Sequence, residues 1–210
     1  MELRLFVATT SLGKLRDFRA AAQAHDLEIE PLPNLGEIAA PAEDGETFEA
    51  NATRKATYYS RFARGALVLA DDSGLEVDAL KGGPGVRSAR FAADQGLVDS
   101  PDANDNTDVW NNMVLLQKMA KVPYAQRTAR YRCVLAVARD GVLLHTAEGS
   151  VEGLVLDAPR GMGGFGYDPL FYYPPFGCSF GEVDGAKKFG VSHRGNAVRA
   201  MLGYLSCGHS

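Results

Sequence analysis

The sequence predicts an α/β fold, a mixed twisted sheet with flanking helices, in a single domain over residues 1–210. Three observations predict it. Near the N-terminus an apolar run, a polar loop and a helical pattern follow one another, the order from which α/β proteins are built. A second apolar run, Ala66 to Ala70, ends abruptly in Asp71-Asp72-Ser73-Gly74. Between Arg127 and Leu156 two strand-like runs flank Asp140-Gly141. That dipeptide signals a hairpin, because a type I′ turn needs positive φ.

The elements follow in chain order. Leu3 to Thr9 is short and apolar and reads as a buried strand. Ser11 is placed to cap a helix starting near Gly13, with Leu15, Phe18 and Ala22 at helical spacing. Leu27 to Pro31 is a second possible strand, and Asn34 to Gly45 a loop rich in Pro, Gly and acid. Thr47 to Ala63 reads as a helix with Phe48, Ala52, Tyr59 and Ala63 near one face. Lys81 to Gly85 is a turn-rich loop. Asp105 to Ala120 reads as a helix with Val109, Met113, Leu116 and Ala120 on one face. After the hairpin come a Gly-rich stretch (Pro159 to Gly166), a short aromatic strand (Leu170 to Tyr173) and a closing helix (Ser192 to Leu205). No repeat, linker or clear domain boundary interrupts the chain.

Composition narrows the function classes. Apolar residues make up 46% and charged residues 23% of the chain, the mix of a globular protein that buries a core. The net charge is −4, and no Lys/Arg run offsets it. Nucleic-acid binding, which draws most of its affinity from phosphate contacts, is therefore not expected. No apolar run is long enough to span a bilayer. Cys133, Cys178 and Cys207 are odd in number and widely spaced, which argues against a disulfide framework or a zinc site. With no leader-like N-terminus, the expected location is the cytoplasm.

Four segments carry candidate chemistry. Thr9-Thr10-Ser11-Leu12-Gly13-Lys14 joins strand to helix, where backbone N–H groups and the helix dipole suit a phosphate and Lys14 adds charge. It lacks the P-loop pattern. Asp71-Asp72-Ser73-Gly74 is read as the end of a strand, the usual ligand side of an open α/β sheet. Two adjacent carboxylates repel, and a hard cation such as Mg²⁺ relieves this while holding phosphate oxygens. An acidic turn explains the segment equally well. Gly163 to Pro169 (GGFGYDP) combines close backbone approach with Phe165, which can stack on a base, and Asp168, which can accept from a base edge. Lys188 and Ser192-His193-Arg194 place cations at the start of the last helix, Arg194 as a rigid fork of donors. Taken singly, a capped helix, a packed aromatic loop and a structural histidine account for the first, third and fourth segments.

Together these pieces resemble the inosine triphosphate pyrophosphatase family, also described as dITP/XTP pyrophosphatases. The resemblance runs over nearly the whole chain and is strongest in LADDSGLEVDAL (Leu69 to Leu80), GGPGVRSARF (Gly82 to Phe91), GGFGYDPLF (Gly163 to Phe171) and KFGVSHRGNA (Lys188 to Ala197). It implies two lobes around a central nucleotide-binding cleft, a homodimer, and Mg²⁺-dependent hydrolysis of dITP, ITP or XTP to the monophosphate and pyrophosphate. By resemblance, Thr9 to Lys14 hold the triphosphate and Lys55 contacts phosphate. Asp72 is metal ligand and proton acceptor with Ser73 beside it, and Glu43 lies near the metal. Phe165, Gly166, Tyr167, Asp168, Lys188, His193 and Arg194 form the base-binding set. The chain departs from the family pattern at Ser11, where Asn is usual, at Ala50, where Glu would complete a capping box, and at Lys187, where an acid is common. Two other readings stay open: a pyrophosphatase of the related Maf type, and a nucleotide-binding module without turnover.

Overall fold

The computed structural model describes residues 4–23, 27–97 and 107–207. Seven strands form one mixed sheet in the order β2-β1-β3-β4-β5-β6-β7, with helices flanking it. β1 (Leu5–Val7) pairs in parallel with β2 (Ile29–Pro31) and β3 (Leu67–Val77), whereas β6 (Phe171–Tyr173) is antiparallel to β5 (Val142–Val155) and β7 (Cys178–Ser179). β4 (Thr128–Arg139) and β5 form the expected hairpin, with Asp140 at φ 51° and Gly141 at φ 85°. Their left-handed backbone is what the type I′ turn demands.

Contacts divide the chain into two compact units. The first takes in the described residues up to Asp72, Cys133–Gly149 and the C-terminal segment from His193; the second comprises Ser73–Arg132 and Ser150–Ser192.

In the first unit, helix α1 (Leu12–Gln23) packs on α5 (His193–Cys207). Helix α2 (Phe48–Tyr59) buries Phe48, Asn51, Ala52, Ala56 and Tyr59, and Tyr59 joins Phe6, Leu32, Ala66 and Val68 in a core cluster. Side chains alternate along a strand, so the Phe6 and Val68 side of β1 and β3 is the side α2 covers. Gly149 on β5 lets α5 approach: a Cβ there would lie 2.2 Å from the His193 carbonyl oxygen.

The second unit centres on Leu75, Val77, Leu115, Met119, Tyr131, Phe171 and Phe180. Arg127 fastens helix α3 (Thr107–Met119) by its C-terminus. The guanidinium donates to the carbonyls of Met119, Val122 and Leu156 at 3.0–3.1 Å, tying the last residue of the helix to the turn after it and to the residue that follows β5.

Three expectations are corrected. β3 does not stop at Ala70 but runs through Asp71-Asp72-Ser73-Gly74 to Val77, because both carboxylates find partners on helices and Gly74 accepts a close neighbour. Helix α3 buries Asn111, Val114, Leu115 and Met119, while Val109 and Met113 are 54% exposed. Apolar residues surround this helix on most sides, so periodicity alone did not choose the face. A seven-residue helix, α4 (Gly185–Val191), holds Lys188 and begins at Asp184, whose carboxylate accepts from the Lys187 N–H at 2.9 Å. The Asp105 and Asn106 end of the expected third helix lies outside the described residues.

Candidate active site

The alternation of β3 separates its two carboxylates. Asp71 turns toward α1 and α5, and Asp72 toward α2. They are therefore not the shared pair expected at a strand end; each has its own partners.

Asp71 is 3% exposed. Lys14 Nζ lies 2.8 Å and 3.0 Å from its two oxygens, and Arg194 Nη2 lies 3.6 Å from Oδ2. Arg194, also buried, extends its other nitrogen to Asp17 Oδ2 at 3.7 Å. Burial pushes the Asp71 carboxyl up, but Lys14, Arg194 and Lys55 outweigh it and hold the group well below the usual carboxylate range. Lys14 reaches Asp71 from the first turn of α1. That turn starts where expected: the Ser11 hydroxyl accepts from the Lys14 N–H at 3.4 Å and the Thr9 hydroxyl from the Ser11 N–H at 3.2 Å. Leu12 is exposed at the helix tip.

Asp72 behaves oppositely. Its Oδ2 accepts from Asn51 Nδ2 at 2.9 Å, and its Oδ1 lies 3.6 Å from Lys55 Nζ. Burial raises its pKa, Lys55 and Asn51 oppose that, and Glu43 and Asp71 add to it; the net shift is upward. Lys55 also donates to Glu43 Oε2 at 2.6 Å, so one ammonium joins the two carboxylates that the resemblance places near a metal. Burial alone would lower the Lys55 pKa, but Asp71, Asp72 and Glu43 raise it.

Asn51 was not among the expected site residues. It is 1% exposed, one helical turn before Lys55 on the buried side of α2. Besides donating to Asp72, it accepts through Oδ1 from the Gly45 N–H at 2.8 Å and so ties the Glu43 loop to the strand. A Cβ on Gly45 would meet Asn51 Oδ1 at 2.6 Å, which explains a glycine there. A polar residue on the apolar face of an amphipathic helix was the available signal.

Two carboxylates suit Mg²⁺, which takes one or two of them and completes its octahedron with water and phosphate oxygens. Asp72 and Glu43 are partly exposed and converge on one positive charge, which is the donor set such an ion needs. Among the described residues there is no group of three or more His, Cys, Asp or Glu that would enclose a metal entirely in protein.

The second unit contains the Phe165 loop and Lys188. Asp168 is 1% exposed, and its oxygens are already engaged. Oδ2 accepts from the Phe165 N–H at 2.8 Å and from Lys188 Nζ; Oδ1 accepts from the Tyr131 hydroxyl at 3.4 Å. A Cβ on Gly164, at φ 77°, would sit 2.1 Å from Asp168 Oδ2. Asp168 thus shapes the loop and holds Lys188, whose Nζ lies 4.9 Å from the Phe165 ring centroid. Tyr167 is buried and donates to the Ser88 carbonyl at 2.8 Å. Phe165, 44% exposed, remains available to a flat ring. Ser73 continues β3 beyond Asp72. Gly74 follows, where a Cβ would lie 2.4 Å from Ser88 Oγ.

The expected residues therefore fall into two groups. Lys14, Lys55, Asp72, Glu43, His193 and Arg194 belong to the first unit. Ser73, Phe165 to Asp168 and Lys188 belong to the second. His193 is 5% exposed at the start of α5. Arg194, expected to face a base oxygen, faces two carboxylates. The donor set of the first group suits phosphate and a hard cation, and the exposed ring of the second suits a base: an α/β protein equipped for nucleotides. The chain belongs to the Ham1 family, whose model matches residues 5–204. It is 53% identical over 205 residues to a dITP/XTP pyrophosphatase of Acidobacterium capsulatum, covering 98% of this chain and 99% of that one. It is 43% identical over 204 residues to one from Desulforamulus reducens, covering 97% and 96%. Among solved structures, the Ham1 protein of Staphylococcus aureus matches with a TM-score of 0.80 at 32% identity, over 96% of this chain and 97% of that one. A HAM1 protein from Coxiella burnetii matches at 0.82 and 30%, over 97% and 98%.

Proposed function

We propose that this chain is a nucleoside triphosphate pyrophosphatase that hydrolyses dITP, ITP and XTP to the monophosphate and pyrophosphate, clearing non-standard purines from the nucleotide pool. The observation that carries the reading is the opposite environment of two neighbouring carboxylates: Asp71 is held ionised by Lys14 and Arg194, while Asp72, beside Glu43 and Lys55, is biased toward taking a proton. Environments that push two carboxyl groups apart assign them different roles.

On this reading water attacks the α-phosphorus. The bond from that phosphorus to the oxygen bridging the β-phosphate breaks, and pyrophosphate leaves. Asp72 accepts the proton of the attacking water. Lys14 and Lys55 stabilise charge on the phosphate oxygens, and the N–H groups of the Thr9 to Lys14 segment hold the chain of phosphates. Asp72 and Glu43 would hold Mg²⁺, which neutralises phosphate charge when bound. Phe165 stacks on the base. Lys188 and Arg194 are donor-only groups and favour an oxygen over an amine at purine position 6. For Arg194 this means releasing Asp17 while its contact with Asp71 is kept. The reading includes a homodimer and a cytoplasmic location; the odd number and wide spacing of the three cysteines support the latter.

The test is pyrophosphate release from dITP, ITP, XTP, dATP and dGTP with and without Mg²⁺, for the wild type and Asp72→Asn. The expected result is metal-dependent release confined to the first three and reduced at least about 100-fold by the substitution. Tight nucleotide binding with no release from any substrate would instead establish a binding module.

A further inference from the structure

Helix α3 grips the Phe165 loop at a single residue, by the N–H and the carbonyl of Gly166. The Gly166 N–H donates to Asp108 Oδ2 at 2.6 Å, and the Gly166 carbonyl accepts from Asn112 Nδ2 at 2.9 Å. Asp108 and Asn112 are one turn apart, the spacing that puts two helical side chains side by side. Gly166 is at φ 62°, a left-handed conformation in which the directions of its N–H and carbonyl fix the course of the chain. Its neighbour Phe165 is tied at the main chain by Asp168 and its neighbour Tyr167 at the side chain by Ser88, so Gly166 is the remaining hinge between them.

Asn112 also carries a cost. Its Oδ1 is shielded from solvent and has no hydrogen-bond partner among the described residues. A buried acceptor left unsatisfied destabilises a fold. A helix position selected for stability alone would not keep that oxygen. What the amide supplies in return is the hydrogen bond to the loop.

We propose that Asp108 and Asn112 are positioning residues that set the angle of the Phe165 ring and thereby the selection of the base. This rests on the reading of Phe165 as the stacking residue. Neither residue touches the phosphates or the reacting atoms in that reading. Their loss therefore acts on KM and on the ratio of kcat/KM between ITP and ATP, and leaves kcat for ITP nearly unchanged.

The experiment compares Asn112→Leu, Asp108→Ala, Asp108→Asn and Phe165→Ala with the wild type, measuring KM and kcat for ITP and ATP and the thermal midpoint. Asn112→Leu removes the donor and the orphaned oxygen together at similar volume. It is expected to raise KM for ITP about tenfold and narrow the ITP-to-ATP ratio by a similar factor, at an unchanged or higher midpoint. Asp108→Ala, at an exposed position, is expected to act in the same direction. Asp108→Asn keeps an acceptor and is expected to retain the wild-type ratio. A lowered midpoint with unchanged KM and ratio in both clasp variants would make the clasp structural only and overturn the proposal. If Phe165→Ala raises KM while Asn112→Leu and Asp108→Ala do not, the clasp fails and the stacking role stands. If Phe165→Ala also has no effect on KM, both fail.

Discussion

In the first unit most candidate residues sit on regular elements and are aimed by opposite charges: Lys14 by Asp71, Lys55 by Glu43 and Asp72, Arg194 by Asp71 and Asp17. In the second, Lys188 is paired with Asp168, but the other candidates lie largely on a loop and are aimed by hydrogen bonds to the main chain, at Phe165, at Gly166 and from Tyr167. The difference is one of coupling. Partly buried charges depend on each other, because removing one leaves its partner uncompensated where water cannot replace it. A hydrogen bond to the main chain leaves no oppositely charged partner behind when its side chain is removed, so a change there alters fit more than electrostatics.

The comparison predicts a ranking of effects. Lys55→Ala is expected to be the largest: it removes the cation shared by Glu43 and Asp72, leaves two facing carboxylates, and raises the Asp72 pKa further. The expected loss in kcat/KM is about 100-fold or more, of the size seen when one preorganised electrostatic donor is lost. Steady-state kinetics at saturating Mg²⁺ would check it, and a loss under about fivefold would show that the charged group is less interdependent than its geometry indicates. Next comes Phe165→Ala. Stacking is worth about 1–3 kcal/mol per base, so KM for ITP should rise roughly 5- to 150-fold with kcat little changed. A kcat collapse instead would mean that the loop is coupled to the chemistry as strongly as the charged group. The smallest effect is on stability. At the start of α2 the Thr47 hydroxyl accepts from the Ala50 N–H at 3.1 Å, but the Ala50 side chain returns nothing. Ala50→Glu would complete the capping box, gaining about 0.5–1 kcal/mol and a few degrees in melting temperature, with kinetics unchanged.

Local chemistry made much of the fold legible. Asp140-Gly141 announces its hairpin because positive φ is a property of those two residues. Ser11 and Thr47 mark helix starts because capping acts over three residues. What was not legible depends on distant parts of the chain. A run of Asp-Asp-Ser-Gly reads as a turn until Lys14, 57 positions away in sequence, and Asn51, 21 away, supply the partners that let it stay in a strand. The buried face of α3 was misjudged because Val109 and Met113 have the same helical spacing as buried residues, and only the surrounding core selects between the faces. Asn51 is absent from the expected site, and Asp71 reads as half of a shared cation-binding pair, for a related reason: their importance lies in what they hold, and the residues they hold are far off in sequence.

The continuation of β3 through both carboxylates has a consequence for how this sequence can vary. β3 is registered against β1 with Leu67 opposite Leu5 and Leu69 opposite Val7, and beyond the carboxylates it is held by the close approach at Gly74. Which acid meets α1 and which meets α2 is thus a matter of odd and even positions. One alanine inserted between Leu69 and Asp71 would bring the Asp71 carboxylate round beside Lys55 and leave an uncharged residue facing Lys14, with every amino acid of the site still present. For this stretch a change of length is a heavier error than most changes of identity: a change by one exchanges the faces, and a change by two restores them but carries both carboxylates along the strand past the lysines they meet.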